Sequence, residues 1–330
     1  MKTTSAKYYL IPAAVCLVAL VGLCYYYFLT TFSASTGKQY LYIDADDNMD
    51  SVFSKLSDIG TKHSMSGIST LMRHTKYADH LRTGRYAIEP TTSTYEVFKQ
   101  LKNGHQEPLM LTIPEVRTMP QLAAKISQKL MLDSATIAQR LVGDTVACIF
   151  VPNTYEVYWN IGIDAFIERM KREHDAFWNS DRRAKAKQLG LTPNEVCTLA
   201  SIIDEETANN AEKPMIAGMY LNRLHVGMPL QADPTVKYAL GNFTLRRIYL
   251  FHLEVNSPYN TYRNTGLPPG PIKIASVKGI DAVLNATPHD YLYMCAKDDF
   301  SGTHAFARTY SEHLRNAQRY ATALNMRGIR

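Results

Sequence analysis

The sequence predicts an α+β protein with an N-terminal transmembrane helix, a small α+β subdomain and a larger, mainly helical domain. Three observations lead to this prediction: an uncharged apolar run near the N-terminus, a mixture of strand and helix patterns after it, and helical patterns over most of the remainder. The 330 residues also suffice for two domains of about 150 residues. The predicted boundaries are 1–7 for a tail, 8–30 for the transmembrane helix, 31–38 for a linker, 39–114 for the subdomain and 115–330 for the larger domain.

The composition is that of an ordinary globular protein. Hydrophobic residues make up 46% of the chain and charged residues 20%, which excludes a mostly disordered protein. Five cysteines are too few for a disulfide scaffold. The formal net charge of +6 is too small an excess for a nucleic-acid-binding protein, so no nucleic-acid partner is expected. This charge is compatible with a position near an anionic lipid or polymer.

The apolar run at 8–30 predicts a membrane anchor. It contains no charged residue, and its length exceeds the about 20 residues that a bilayer core requires. Lys2 and Lys7 precede the run, so the N-terminus is expected to be cytoplasmic. A cleaved signal peptide is the alternative, but its apolar stretch usually has only about 7–15 residues. The sequence therefore favours a single-pass protein of the cell (inner) membrane, with its larger domain in the periplasmic or extracytoplasmic space.

The region after the linker alternates strand and helix patterns. The predicted elements are, in order, a strand at 40–43, helices at 48–59 and 68–80, a strand at 85–88, a helix at 91–102 and a strand at 109–113. The second helix is predicted to begin after Gly67. Tyr95, Val97, Phe98 and Leu101 are the predicted apolar positions of the third helix. This order describes a small α+β unit.

Helical patterns dominate from Met119 onward. Helices are predicted at 119–130, 134–141, 164–179, 192–208, 212–225, 276–286 and 309–324, with one strand at 291–296. The aromatic-rich stretch 150–159 and the Pro/Gly/Asn/Tyr-rich stretch 227–274 are predicted to be irregular. Cys148, Cys197 and Cys295 are interpreted as small core residues.

The helix predicted at 192–208 carries three consecutive acids. Its apolar stripe has Glu206 on one edge and Asp204 on the other, whereas Glu205 points away from the stripe into water. A carboxyl group held against apolar neighbours has a raised pKa, which suits a general acid near neutral pH. The helix alone leaves both Glu206 and Asp204 as candidates, and a solvated acidic helix end is the alternative.

Polar and aromatic residues of the irregular stretch suit a sugar ligand. Gln231 and Asp233 can hydrogen-bond hydroxyl or N-acetyl groups, although Asp233 precedes a proline and can equally serve a turn. Tyr259, Asn260 and Tyr262 combine phenol rings with an amide, which can stack on and hydrogen-bond sugars. The alternative is a packed loop with buried tyrosine hydroxyls.

Two histidines near the C-terminus raise the question of a metal site. His304 and His313 occur near Asp298 and Asp299, but neither an HExxH motif nor a paired-cysteine spacing is present. No metal and no other cofactor is therefore expected. The serines lack the context of a serine hydrolase nucleophile.

Four ordered motifs resemble those of the YceG-like family, the membrane-anchored endolytic murein transglycosylases. They are LASIIDEET at 199–207, MYLNRLHVGMPLQADPTVKYALG at 219–241, SPYNTYRNTGLPPGPI at 257–272 and YLYMCAKDDFSGTHAFARTYSEH at 291–313. The resemblance covers about 148–320 strongly and 39–114 more weakly, where the family has a LysM-like subdomain. It implies a catalytic domain with an open cleft, and peptidoglycan glycan strands as the substrate. The resemblance also implies peptidoglycan synthases as possible partners.

The resemblance also implies a mechanism with one catalytic glutamate, which corresponds to Glu206. This residue would act first as general acid and then as general base, cleaving the MurNAc-β-1,4-GlcNAc bond to give a 1,6-anhydroMurNAc end. Gln231, Tyr259, Asn260 and Tyr262 are the predicted substrate-binding residues. Supporting roles are expected for Asp204, where the family often has a glutamate, and for Asp233 and His304.

Two other functions stay open from the sequence. A non-catalytic peptidoglycan-binding or division-scaffold protein could retain the fold, but the acid at position 206 favours an enzyme. A hydrolytic muramidase would leave reducing ends instead of anhydro ends. Asp204 could position the water that this reaction requires.

Overall fold

The computed structural model describes residues 4–245 and 247–327, which divide into two compact units. The first unit comprises the residues up to Leu111 together with Lys129–Leu132 and Glu156–Ile161. The second comprises Thr112–Gln128, Asp133–Tyr155 and the described residues from Gly162 onward. The mixture of helices with small two-stranded sheets confirms the α+β class. The functional boundary between 114 and 115 stays a prediction.

The first unit is built on a two-stranded antiparallel sheet and short helices. Its elements are α1 (Thr4–Cys24), β1 (Gln39–Ile43), α2 (Met49–Ser57), α3 (Lys62–His74), β2 (Gly84–Ile88) and α4 (Thr94–Asn103). Strands β1 and β2 pair with Leu41 opposite Tyr86. Both of these side chains are buried with Leu56 of α2 and Ile68 of α3. Burial of one apolar face on each element therefore forms this core.

An apolar helix near the N-terminus has the length and composition of a membrane span. Leu10–Leu29 has 20 residues with a mean hydropathy of 2.0, and none of it is buried. Its last residues, Tyr25–Leu29, continue α1 as a short π-helix. Lys2 lies outside the described residues, and Lys7 is described only in its helical backbone.

Two expectations for the first unit are wrong. Helix α3 begins at Lys62, capped by the Thr61 side chain, and runs through Gly67 instead of starting after it. A Cβ atom on Gly67 would lie 2.1 Å from the carbonyl oxygen of Tyr27. The glycine thus permits a close approach of two backbones and does not break the helix. Tyr95, an expected apolar position of α4, is 48% exposed.

The second unit is mainly helical. Its helices are α5 (Met119–Ser127), α6 (Ser134–Arg140), α7 (Ile163–Phe177), α8 (Ser180–Gln188), α9 (Pro193–Glu206), α10 (Lys213–His225), α11 (Asp233–Ala239), α12 (Val277–Leu284) and α13 (Tyr310–Met326). Its antiparallel sheet consists of β5 (Tyr293–Ala296) and β6 (His304–Ala307). Two further strands, β3 (Leu109–Thr112) and β4 (Thr154–Val157), contain residues of both units. Helix α9 lies at the centre of the core, between residues of α10 and α12.

Several elements of the second unit depart from the sequence prediction. Helix α8 was not predicted because only Ala186 of its nine residues is buried, so no apolar stripe marks it. The stretches expected to be irregular contain β4 and α11, which are too short for a periodic pattern. Strand β6 was also not predicted, because three of its four residues are only half-buried and no alternating apolar pattern marks it.

Candidate active site

Helix α9 fixes the position of the three acids. Thr192 and Glu195 form a capping box, and Pro193 occupies the first turn, so the sequence defines where the helix begins. The predicted stripe of Leu199 and Ile203 is fully buried. The helix ends at Glu206, after which the backbone becomes extended. Because the start and the buried face are both fixed, each acid meets a different environment.

Asp204 is part of a buried ion pair and not of an open site. Its Oδ1 lies 2.7 Å from Nζ of Lys213, and the side chains of the two residues are 2% and 7% exposed. The backbone N–H of Ser276 donates to Oδ2 at 2.7 Å, and the Ser276 hydroxyl donates to Oδ1 at 2.8 Å. A Cβ atom on Gly279 would approach Oδ1 to 2.6 Å, so only glycine fits there. Both carboxylate oxygens are occupied, and this arrangement does not support the water-positioning role considered for Asp204.

Glu205 faces charged side chains instead of open water, which corrects the expectation for this residue. Its side chain is 17% exposed. Nη2 of Arg117 lies 2.7 Å from its Oε2, and Nζ of Lys273 lies 3.6 Å from its Oε1. Glu205 therefore belongs to a partly exposed network of ion pairs.

Glu206 opens into a cavity of about 250 Å³ within the second unit. The cavity wall combines acids, phenols, a guanidinium, an imidazole and apolar side chains. Its residues are Glu206, Met219, Tyr220, Arg223, Leu230, Gln231, Asp233, Tyr262, Met294, Cys295, Ala296 and His304. Cys295 is consequently a half-buried residue of the cavity wall, whereas Cys148 and Cys197 are core residues as expected.

The carboxyl group of Glu206 has a raised pKa. Removal from bulk water is the largest cause, and the negative charge of Asp233 acts in the same direction. The Tyr220 hydroxyl donates a hydrogen bond to Oε1 of Glu206 at 2.7 Å. This bond lowers the pKa, as do the nearby His304 and Lys237, but desolvation prevails. Glu206 therefore retains its proton to higher pH than an ordinary glutamic acid.

Four of the residues expected to contact substrate or support catalysis line the same cavity: Gln231, Asp233, Tyr262 and His304. The Tyr262 hydroxyl donates to Oδ1 of Asp233 at 2.6 Å, which orients both side chains. Gln231 is exposed and has a left-handed backbone with φ of 51°. Its N–H donates to the carbonyl oxygen of Thr261 at 3.1 Å. Such backbone conformations are uncommon outside glycine and occur often at ligand sites.

Arg223 supplies a buried positive charge to the cavity wall. The residue is 7% exposed, and its guanidinium donates to the carbonyl oxygens of Leu292, Pro229 and Leu230 at 2.6, 3.2 and 2.7 Å. Among the residues that the structure describes, no acid forms an ion pair with it. The carbonyl groups hold the guanidinium at the cavity and leave its charge uncompensated by a carboxylate.

His304 lies on the cavity wall and is bound by a buried acid that sequence reasoning missed. The backbone N–H of His304 donates to Oε1 of Glu212 at 2.6 Å, and Nδ1 lies 3.0 Å from Oε2. Glu212 is 8% exposed. The Thr207 hydroxyl donates to the same Oε2 at 3.4 Å. Glu212 thus connects the residue after Glu206 with the first residue of β6.

Two predicted substrate-binding residues lie outside the cavity. Asn260 is fully buried, and its amide group donates to the carbonyl oxygens of Leu253 and Val255 at 2.8 and 2.9 Å. The Tyr259 hydroxyl donates to Oδ1 of Asp144 at 3.0 Å, and burial raises the pKa of Tyr259. Both side chains stabilise the loop that carries Tyr262, as the packed-loop alternative proposed.

No single-residue signal would have identified Tyr220, Arg223 and Glu212. The first two lie one turn apart on α10, a spacing that also fits a buried helix face. Glu212 precedes the buried Lys213 and belongs to no recognisable motif. Across the described stretches 4–245 and 247–327, no group of three or more His, Cys, Asp or Glu side chains is arranged to hold a metal ion.

Comparison with known proteins identifies relatives over most of the chain. The model of the YceG-like family matches residues 41–319. A protein of Streptococcus pneumoniae named endolytic murein transglycosylase is 29% identical over 318 residues, covering 82% of this chain and 57% of the relative. One of Bacillus subtilis with the same name is 41% identical over 143 residues, covering 43% of this chain and 39% of the relative. The match therefore spans little more than half the length of the Streptococcus relative and less than half that of the Bacillus relative.

A solved structure has a similar fold. The crystal structure of a protein described as yceG-like from Listeria monocytogenes superposes with a TM-score of 0.53 at 27% sequence identity. The match covers 85% of this chain and 99% of the Listeria chain. The described architecture is thus shared over most of the length of both proteins.

Proposed function

The chain belongs to the YceG-like family, and we propose that it is a membrane-anchored endolytic transglycosylase of peptidoglycan. The observation that carries the proposal is the position of Glu206, the last residue of α9, in a polar cavity where desolvation raises its pKa. A carboxyl group that keeps its proton to higher pH than usual is suited to be the general acid of glycosidic-bond cleavage. The names of the relatives support the same reaction.

Glu206 serves both steps of the proposed reaction. As an acid, it protonates the glycosidic oxygen that leaves C1 of N-acetylmuramic acid, and the C1–O bond breaks. As the resulting carboxylate, it removes the proton of the muramic acid 6-hydroxyl, whose oxygen forms the new bond to C1. Atoms balance without water, and Glu206 is protonated again at the end. Tyr220 hydrogen-bonds the carboxyl group throughout.

The remaining polar residues of the cavity would bind the glycan. Gln231 and the Tyr262–Asp233 pair offer an amide, a phenol and a carboxylate beside Glu206. Such groups hydrogen-bond sugar hydroxyl and N-acetyl groups. A mid-strand substrate additionally requires that the cavity continue into an open cleft.

Asp233 also makes hydrolysis the second candidate reaction. Hydrolytic glycosidases commonly use two carboxyl groups, one of which activates water. Asp233 is the other carboxylate on the cavity wall with Glu206. A muramidase would use Asp233, and not the fully paired Asp204, for that role.

Analysis of the reaction products tests these proposals. The full-length chain in detergent micelles is incubated with purified peptidoglycan, and the fragments are identified by mass spectrometry. Internal fragments with 1,6-anhydro ends are expected. Reducing ends would show hydrolysis. Intact glycan that still binds the protein would support a non-catalytic wall-binding role.

We propose that Leu10–Leu29 remains in the mature protein as a single-pass anchor with a cytoplasmic N-terminus. The exposed, uncharged helix and the lysines before it support this orientation. Protease added outside intact cells stripped of their wall should degrade both units and leave the N-terminal tail. In inverted membrane vesicles, added protease should instead degrade only the N-terminal tail. A mature chain that lacks residues 1–30 would contradict the proposed anchor.

We also propose that the first unit is LysM-like and contacts glycan. Its elements follow a β-α-α-β order, and its two helices and the segment after them form a cavity of about 470 Å³. The cavity is lined by Met49, Phe53, Ser69, Met72, Arg73, Lys76, Ala78 and Asp79. The ring of Phe53 can stack on the face of a sugar, and the polar groups beside it can hydrogen-bond the sugar hydroxyls. In a non-cleaving Glu206→Gln chain, Phe53→Ala should weaken binding to peptidoglycan sacculi. Tyr95→Ala, which removes an exposed ring outside this cavity, is the matched control, and equal binding by both variants would refute the proposal.

A further inference from the structure

The pair formed by Glu212 and His304 is the part of the site that a one-glutamate mechanism does not use. Glu212 is a buried acid at the start of α10, and His304 is the first residue of β6. They are 92 residues apart in the chain, yet both carboxylate oxygens of Glu212 contact His304. One oxygen binds the backbone N–H and the other binds the ring.

This double contact determines which nitrogen of the imidazole carries a proton. A carboxylate oxygen can only accept a hydrogen bond, so Nδ1 of His304 must carry the proton in the contact with Oε2. In a neutral imidazole, Nε2 is then an acceptor. Among the residues that the structure describes, none hydrogen-bonds Nε2, while His304 itself lines the cavity that contains Glu206. The backbone contact prevents the residue from shifting along the strand.

We propose that Glu212 is a positioning residue that holds His304 as the Nδ1–H tautomer, and that Nε2 of His304 accepts a hydrogen bond from a hydroxyl group of the glycan bound beside Glu206. This inference rests on the proposed function, because it takes the substrate to be a sugar strand. His304 thereby joins Glu206 among the residues that touch the reacting sugar. The Thr207 contact of Glu212 keeps the helix end that carries Glu206 in register with His304.

The geometry also explains why Glu212 is an acid. The side chain is almost completely buried, and a buried carboxylate is costly unless hydrogen bonds compensate it. Two contacts with His304 and one with Thr207 supply that compensation. Glutamine at this position has nearly the same shape, but its amide can donate to Nδ1 and so favour the opposite tautomer.

The tautomer is measured directly in the folded, full-length protein. ¹⁵N-histidine NMR in detergent micelles, with the His304 signals assigned by their loss in His304→Asn, should show the proton on Nδ1. In Glu212→Gln the proton should move to Nε2 or exchange between the nitrogens. A proton on Nε2 in the wild-type protein would overturn the proposal. This readout needs no activity, so it remains decisive even if the proposed reaction proves wrong.

Kinetics separate positioning from a merely structural role. With kcat and KM measured on peptidoglycan, Glu212→Gln should lower kcat about tenfold with KM nearly unchanged. His304→Asn, which can keep the Glu212 contact but lacks the Nε2 acceptor, should lower it at least as much. The double variant should be no slower than His304→Asn alone. If the reduction in kcat of the double variant equalled the product of the two single reductions, Glu212 would act independently of His304.

A matched control tests for unspecific damage. Glu312 also accepts backbone N–H bonds, from Arg308 and Thr309, close to β6 but outside the cavity. Glu312→Gln should leave kcat within about twofold of the wild-type value. An equal loss in Glu312→Gln and Glu212→Gln would contradict the positioning role. If the wild-type protein produced no cleavage products at all, the proposed function itself would be refuted.

Discussion

The two sides of the last turn of α9 show how different environments give neighbouring acids different chemistry. On one side, Asp204 is 2% exposed and forms an ion pair with Lys213, with Ser276 as a further donor. On the other side, Glu206 lines a cavity and receives a hydrogen bond from Tyr220. The residues are two positions apart, and both are carboxylic acids.

The difference lies in what compensates the charge. Asp204 has a cation and two donors for its two oxygens, so the charged form is stabilised where it is buried. No cation of the described residues forms an ion pair with Glu206, and desolvation raises its pKa. A buried acid with complete pairing stabilises the fold, whereas a buried acid with incomplete pairing can hold and release a proton.

Replacing the acid on the cavity side should have the largest effect on activity. Glu206→Gln keeps the shape of the side chain and its contact with Tyr220 but removes the proton donor. Cleavage should fall by about 10²–10⁴-fold, measured as the rate of release of anhydro ends, since this is the usual contribution of general acid–base catalysis. The glycan should still bind. A variant that cleaves at the wild-type rate would exclude Glu206 as the catalytic acid.

Replacing the acid on the paired side should chiefly affect stability. Asp204→Asn leaves the Lys213 ammonium buried without a counter-charge. The free energy of unfolding should fall by about 3 kcal/mol, the usual cost of breaking a buried ion pair. Chemical denaturation of the second unit measures this change. If stability were unchanged while cleavage disappeared, Asp204 would belong to the catalytic machinery and the comparison would fail.

Removing the hydroxyl that contacts Glu206 should shift its titration. The Tyr220 hydrogen bond lowers the pKa of Glu206, although desolvation raises it more. Tyr220→Phe should therefore raise this pKa further. The first step requires protonated Glu206, so the fall of kcat/KM with rising pH should begin at higher pH in the variant. A shift of this limb to lower pH would contradict the assignment.

The acid between these two should matter least. Glu205 pairs with Arg117 and Lys273, but Arg117 is 44% exposed, and solvent weakens such pairs. Glu205→Gln should change the free energy of unfolding by about 1 kcal/mol or less and leave cleavage intact. The Glu205→Gln variant is therefore the control for the Asp204 and Glu206 variants, because it changes an acid at the same helix end. A loss of activity comparable to that of Glu206→Gln would show that the helix end as a whole, and not Glu206, is required.

The local features of this site were predictable, and the contacts across the fold were not. The capping box and the apolar stripe of α9 involve residues within a few positions of one another, so helical periodicity predicts the face on which Glu206 lies. The partners of Asp204 include Ser276, and those of Glu212 include His304. These contacts span 72 and 92 residues, and no pattern in a single sequence encodes them.

The same limit applies to the substrate-binding prediction. Phenol and amide groups in the 257–262 segment suit a sugar, but residue type does not reveal which side chain faces the cavity. Tyr262 does so, whereas the amide of Asn260 supports the loop from within. Among the secondary-structure elements, α8 and α11 were missed for a related reason, because tertiary contacts and not periodicity stabilise short helices.

The titration of the Glu206 carboxyl group shows directly whether this residue can serve as the general acid. In protein labelled with ¹³C-glutamate, its carboxyl resonance can be assigned by its absence in Glu206→Gln and followed over pH. We expect a pKa above the ordinary value of about 4.5, because the charged form is desolvated. A pKa at or below the ordinary value would mean that Glu206 is already ionised near neutral pH, and would contradict its role as the general acid.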